Sequence, residues 1–329
     1  MIASIAFKNF KALRDTRVAL SRFNLVIGPN GSGKTSLIAA VRQLGGLAKI
    51  TPHPLLPERP PEGTRAIAFT FTAPFAAISA QLSCVSDTAC EVVQVSPADA
   101  PSWPALRSEL TTIRSYLLDH NALGQPSLHT GHAPLSENGA NLSAVLADLQ
   151  DRAPSAFSAL TSEILRILPE FNSLKITPLP NGQVEAGLSL TNHQLIPASE
   201  LSQGTLYLLG ILALAFDPCP PHVLCIEEVD RGIHPRLLRP IRDALYRLSH
   251  PESVGSPHRP TQIITTTHSP YFIDLFRDHP EDVILSEKQG NTARFMRLAD
   301  RPDLPELLHD GSLGDMWFSG ILGGVPEEP

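Results

Sequence analysis

Phe23-Asn24-Leu25-Val26-Ile27-Gly28-Pro29-Asn30-Gly31-Ser32-Gly33-Lys34-Thr35-Ser36 is the stretch on which the reading of this 329-residue chain turns. An apolar run describes a strand, glycines make the turn, and Leu37 to Leu44 reads as the helix that follows. Glycine lets successive backbone N–H groups curl around an anion, and the helix start adds partial positive charge. Lys34 is placed to reach the β- and γ-phosphates of a nucleotide, and the Thr35 hydroxyl to ligate Mg²⁺. Asn30, Gly31, Ser32, Gly33 and Ser36 complete the candidate phosphate cradle. An ordinary turn before a helix gives no reason for Lys and Thr at these places. The stretch implies a bound nucleoside triphosphate.

Three further segments suit the same chemistry. Pro221-His222-Val223-Leu224-Cys225-Ile226-Glu227-Glu228-Val229-Asp230 reads as a buried parallel strand that delivers two acids at its C-terminal end. Beside a phosphate loop, Glu227 is expected to hold the Mg²⁺ shell and Glu228 to activate the attacking water. Gln262-Ile263-Ile264-Thr265-Thr266-Thr267-His268 is a second β-branched strand, and His268 at its tip is placed to meet a γ-phosphate. Ser202-Gln203-Gly204 precedes an apolar helix, Leu206 to Phe216. By default it is an N-terminal cap, but the same N–H groups can face a second anion.

Composition bounds the alternatives. Hydrophobic residues make up 42% and charged residues 18%, as in an ordinary globular chain, and the net charge of −7 argues against broad coating of nucleic acid. The longest apolar run, Leu206 to Phe216, falls short of the roughly 18 residues of a membrane span. No basic-then-apolar leader opens the chain, so a cytoplasmic location is expected. Cys84, Cys90, Cys219 and Cys225 show no C-x-x-C spacing and read as reduced thiols.

The order of phosphate loop, Ser-x-Gly helix, double acid and His tip resembles the ABC-type ATPases in their SMC-like and RecF-like branch. It is most similar to stand-alone AAA-type core ATPases related to OLD-family and phage-defence ATPases. Smaller segments carry the resemblance further: Ile5-Ala6-Phe7-Lys8-Asn9-Phe10-Lys11, Gly139-Ala140-Asn141-Leu142, Gly232-Ile233-His234-Pro235 and Ser312-Leu313-Gly314-Asp315-Met316-Trp317. It departs in Val229, where proline is usual, and in lacking a clear glutamine loop; a strand Ile113 to Leu118 with Asp119 after it is the nearest equivalent. The resemblance implies ATP and Mg²⁺ as cofactors. It also implies an α/β P-loop NTPase, an ABC-type head with a central mostly parallel sheet, an antiparallel β-layer and an inserted helical lid. Lys11 joins the cofactor-binding set on the same ground. In this family ATP is sandwiched in a homodimer, here between Lys34 and Thr35 of one copy and Ser202 and Gly204 of the other.

The expected organisation is an N-terminal core part over 1–104, an inserted helical region over 105–198, and a C-terminal core part over 199–329. Thr51 to Pro61 carries five prolines and reads as an exposed connection. Thr64 to Val95 alternates as an antiparallel layer, and Pro97 to Trp103 and Gly124 to Glu137 read as loops. Asn141 to Pro169 has helical periodicity, Phe171 to Leu190 is a hairpin turning at Pro180-Asn181-Gly182, and Pro235 to Ser249 is a helix with Arg236, Arg239, Arg242 and Arg247 on a drifting stripe. That stripe reads as a solvated face, with a nucleic-acid or protein contact as the alternative. His120, His129 and His132 lack the partners of a metal set. The 61 residues after His268 are expected to hold a strand, Val283 to Ser286, a hairpin partner near Phe295 to Leu298 and terminal helices, leaving no fused nuclease. No heptad run exists, so what the ATPase drives is expected to be a separate effector protein. The rival readings are a non-hydrolysing ATP-dependent scaffold and a transporter ATPase subunit.

Overall fold

The computed structural model describes residues 1–50, 65–86, 89–256, 258–290 and 292–323; the proline-rich Thr51 to Pro61 lies outside them. The first half of the chain forms β1 (Ile2–Phe10), β2 (Leu13–Ala19), β3 (Phe23–Ile27), α1 (Lys34–Ala48), β4 (Arg65–Phe71), β5 (Ser79–Cys84), β6 (Cys90–Ser96), α2 (Trp103–Thr111), β7 (Arg114–Tyr116), α3 (His120–Leu123), β8 (Ser127–Leu128), α4 (Leu142–Arg152) and α5 (Pro154–Ile167). The second half forms β9 (Phe171–Pro178), β10 (Gln183–Leu190), β11 (Leu195–Pro197), α6 (Gln203–Ala215), β12 (Val223–Ile226), α7 (Pro235–Ser249), β13 (Gln262–Thr266), α8 (Pro270–Asp274), β14 (Val283–Gln289), β15 (Thr292–Arg297), α9 (Leu304–Asp310) and α10 (Leu313–Phe318). They pack as two compact units: residues 1–115, 221–229 and 261–329, and residues 116–220 with 230–260.

In the first unit, β3, β12 and β13 are buried along their whole length. That is the signature of strands covered on both faces. They lie in a six-stranded sheet of order β15-β14-β3-β13-β12-β7. The β14–β3, β3–β13 and β13–β12 pairings are parallel, and only then does β15 return antiparallel on β14. The C-terminal ends of β3, β13 and β12 therefore emerge side by side, where open parallel sheets hold ligands. A second sheet, β2-β1-β4-β5-β6, is antiparallel, and β4 and β5 bury alternate residues. Helix α1 lies between the layers: Leu37, Ile38, Val41 and Leu44 share one cluster with Phe7, Ile67 and Phe69 of the antiparallel sheet and Val26 and Ile264 of the parallel one. Each such side chain is worth about 1.5–3 kcal/mol of burial, which fixes the start of α1 against the end of β3.

The second unit is built on α6, whose residues Thr205 to Leu214 are buried on every face, as a helix surrounded by others must be. Helices α3, α4, α5 and α7 pack around it, α7 contributing Leu238, Ile241, Leu245 and Leu248. The hairpin β9–β10 turns at Asn181 and Gly182, with φ of 63° and 73°, residues that tolerate the left-handed region. The loop histidines find partners on α4: His132 Nδ1 lies 3.3 Å from the Asp148 carboxylate, and His129 Nε2 3.8 Å from that of Asp151. The hydrogen bonds from Arg152 to Asp148 hold that carboxyl below the usual carboxylate range. Among the described residues no helix is long and apolar enough to cross a membrane.

Several local readings differ from the sequence. Cys84 and Cys90, expected as free thiols, are joined in a disulfide, because pairing of β5 with β6 sets them opposite each other. Only Cys219 and Cys225 are free. Helix α2 begins at Trp103, the last residue of the expected loop, and its Leu106 and Leu110 join the core. The edge strand β7 is three residues long, and Asp119, considered for the glutamine-loop role, caps α3 by accepting from the Ala122 N–H at 2.9 Å.

Candidate functional site

The phosphate loop begins where β3 leaves the sheet. Gly31 and Gly33 sit at φ of 77° and 97°, conformations that a side chain would strain. Helix α1 starts at Lys34, earlier than the apolar pattern indicates, and Gly33 at its cap position offers no side chain. The first-turn N–H groups are thus not consumed by a capping side chain. Lys34 is buried, and its Nζ donates to the carbonyls of Gly28 (2.6 Å) and Pro29 (3.0 Å). Burial pushes its pKa down to about 8, against the opposing pull of the Glu228 carboxylate.

The acids arrive from β12. Glu228 adopts φ of 49°, a left-handed conformation that costs a non-glycine residue energy and that clusters at functional sites. Its N–H donates to Thr266 Oγ1 at 2.9 Å, and the next N–H, of Val229, donates to the Thr266 carbonyl at 3.0 Å. Thr265 Oγ1 also donates to the Ile226 carbonyl at 2.9 Å. The end of β13 thereby fixes the turn that carries both acids, and His268 follows two residues later.

These pieces enclose a cavity of about 320 Å³. From the loop and α1 it takes Asn30, Gly31, Gly33, Lys34, Thr35 and Ser36; from β12 and β13 it takes Glu227, Glu228, Thr266 and His268. Lys11 and Ala12 come from the β1–β2 turn; Asn9 near the end of β1 and Lys11 in the turn hold φ of 53° and 54°, and Lys11 Nζ lies 5.6 Å from the Phe10 ring centre. Ser32 is wholly buried instead. Thr266 was not singled out in the sequence; its signal was a threonine run ending the strand that pairs with the acid strand.

Ser202 and Gly204 belong to the second unit, at the start of α6. The Ser202 hydroxyl caps the helix, accepting from the Thr205 N–H at 3.2 Å and lying 2.8 Å from the Thr205 hydroxyl. The Gly232-Ile233-His234 segment packs on this helix start: a Cβ on Gly232 would lie 2.2 Å from the Gln203 side chain, and one on Gly204 3.4 Å from the Gly232 carbonyl.

A phosphate loop, paired acids and a histidine converging on parallel strand ends, beside an antiparallel layer, constitute a P-loop ATPase fold of the SMC-head type. Solved structures share it. An Smc head bound to the C-winged helix domain of ScpA aligns with a TM-score of 0.58 at 14% identity, over 90% of this chain and 96% of that one. An SMC head domain from Thermotoga maritima aligns at 0.51 and 14% identity, over 90% and 98%. An Smc head with an extended coiled coil, bound to the C-terminal domain of ScpA derived from Pyrococcus furiosus, aligns at 0.55 and 13% identity, over 94% and 99%. Such low identity speaks for the fold alone. Residues 102–274, more than half of the chain, match the family described as "AAA domain, putative AbiEii toxin, Type IV TA system", and residues 1–50 match "AAA ATPase domain". The chain belongs to the first family and is an AAA-type ATPase domain. No curated protein matches its sequence.

Proposed function

We propose that this protein binds and hydrolyses ATP with Mg²⁺, closes as a homodimer around the nucleotide, and drives a separate effector in phage defence or DNA metabolism. The observation that carries the reading is the single cavity gathering Lys34, Thr35, Glu227, Glu228 and His268. Lys34 neutralises the β- and γ-phosphates, and the N–H groups of the loop and of α1 bind them, with Lys11 at the rim. The Thr35 hydroxyl and the Glu227 carboxylate are hard oxygen donors that suit Mg²⁺, which when bound neutralises phosphate charge. Glu228 takes a proton from the attacking water, and His268 contacts the γ-phosphate. Ser202 and Gly204 of a second copy complete the site. Two of the similar SMC heads are described as bound to a domain of ScpA, which supports a protein partner.

The shared site has a direct test. Ser202→Arg is expected to leave nucleotide binding by the single subunit within about twofold, yet to stop closure and turnover by bulk and misplaced charge. Mixed with Lys34→Ala protein, it forms dimers with one doubly damaged site and one intact site. A quarter to a half of wild-type turnover is then expected to return in a phosphate-release assay. Normal hydrolysis by Ser202→Arg alone overturns the shared site and leaves Ser202 a helix cap.

The lowered pKa of Lys34 predicts a pH dependence. Phosphates favour the ammonium form, so binding raises this pKa and draws in a proton wherever the free protein has lost it. ATP affinity is expected to be flat below about pH 7 and to fall above pH 8, by at most about tenfold per unit. Near pH 8.5, with the free pKa at about 8, uptake is about three-quarters of a proton. Titration calorimetry in buffers of different ionisation enthalpy measures it; a heat independent of buffer at pH 8.5 removes Lys34 from the phosphate contact.

A further inference from the structure

The hairpin β14–β15 supplies no residue to the described lining of the nucleotide cavity, yet three parts of that cavity's wall rest on it. Ser286, buried on β14, donates its hydroxyl to the Ser32 carbonyl at 2.5 Å. The loop comes so close here that a Cβ on Gly28 would lie 2.2 Å from the Ser286 carbonyl oxygen and 2.9 Å from its Cβ. Behind Gly33, a Cβ would meet Leu13 at 2.9 Å and Ala293 and Phe295 of β15 at 3.5 Å. The turn that presents Lys11 is tied to the same strand: the Ala293 N–H donates to the Ala12 carbonyl at 2.9 Å, and Thr16 Oγ1 to the Ala293 carbonyl at 2.7 Å. Among the described residues Ser32 Oγ is buried at this junction without a hydrogen-bond partner, so the tie of Ser32 to the hairpin is the bond its carbonyl accepts from Ser286.

A peptide unit is planar and trans, so its C=O and N–H point in opposite directions. Fixing the Ser32 carbonyl on Ser286 therefore turns the Gly33 N–H away from the hairpin, and Gly33 lines the cavity. We propose that Ser286 is a positioning residue for the phosphate loop, whose hydroxyl locks the Ser32–Gly33 peptide so that the Gly33 N–H is presented to the phosphates. The assignment rests on the nucleotide-binding reading above. Ser286 touches no substrate. It acts by sparing the loop the cost of reordering when phosphate arrives, and so acts on binding more than on the chemical step.

The test compares wild type with Ser286→Ala, Ser286→Cys and Ser286→Thr by MgATP titration calorimetry, steady-state hydrolysis and nucleotide-free thermal melting. Loss of one buried hydrogen bond predicts a Kd and KM about tenfold higher in Ser286→Ala, with kcat within about twofold. Ser286→Thr, which keeps the hydroxyl, is expected to recover most of that loss. Ser286→Cys keeps the shape with a weak donor and stands in should the alanine protein not fold; it too is expected to lose affinity. Wild-type Kd and KM in whichever of the two folds overturns the assignment. So does a kcat that falls equally in the alanine and threonine proteins, since that marks a packing role. Wild-type protein that fails to bind MgATP overturns the nucleotide reading itself, an outcome distinct from wild-type binding with an unaffected Ser286→Ala.

Discussion

Lys34→Ala is expected to weaken MgATP binding by at least two orders of magnitude and to abolish turnover. Lys34 is the buried cation at the start of α1, held by two loop carbonyls beside the cavity. Charge-assisted hydrogen bonds are each worth about 1.5–3 kcal/mol, so losing the contacts to two phosphates amounts to a factor of about 10²–10⁴. The free protein should tolerate the change. Burial opposes the charge of Lys34, so removing it relieves a desolvation cost while leaving the Gly28 and Pro29 carbonyls without a donor. These effects act in opposite directions, and the nucleotide-free melting temperature is expected to move by only a few degrees. Calorimetric titration with ATP reads the first effect and thermal melting the second. Wild-type ATP affinity in a folded Lys34→Ala protein removes the phosphate-loop assignment.

Glu228→Gln is expected to keep ATP and lose turnover, by about 10²–10⁴-fold. Glu228 lines the cavity with its backbone in the left-handed region and its N–H on Thr266. Glutamine keeps the length and the backbone tie but cannot take a proton from water. The nucleotide then stays bound, and the closed state accumulates to the extent that ATP favours it over the open one. Single-turnover kinetics and light scattering with ATP present measure the two consequences: retained ATP without phosphate release, and a stable dimer. A Glu228→Gln protein hydrolysing at the wild-type rate places the base elsewhere, with His268 the first alternative.

Much of the site was legible because its chemistry is local in sequence. The run from Phe23 to Ser36 holds strand, turn and helix start in consecutive residues, and Glu227, Glu228 and His268 each end a strand whose burial shows in its composition. Other features depend on which strands become neighbours. Thr266 matters because β13 pairs with β12, which lets one threonine hold the turn after the acids. Ser286 matters because β14 pairs with β3, and nothing in Val283 to Ser286 alone predicts a bond to a loop some 250 residues earlier. The disulfide escaped for a similar reason: a spacing of six residues fits no metal or redox pattern until β5 and β6 face each other. Helix α2 is hidden because Trp103, the last residue of a stretch that reads as loop, opens a helix with proline in its first turn, whose Leu106 and Leu110 pack in the core.

The place of β3 in its sheet has a consequence for synthesis. Its two neighbours are β13 and β14, which leave the ribosome more than 230 residues after it. At about 5–20 residues per second, the phosphate-loop strand waits roughly 12–50 s with neither edge covered. During that interval the strand exposes unpaired edges and apolar faces, the condition that holdase chaperones recognise. The nascent chain therefore gains its nucleotide site late and all at once, when the strand bearing His268 inserts beside β3. A growing polypeptide cannot assemble this cavity before β13 and β14 have been made.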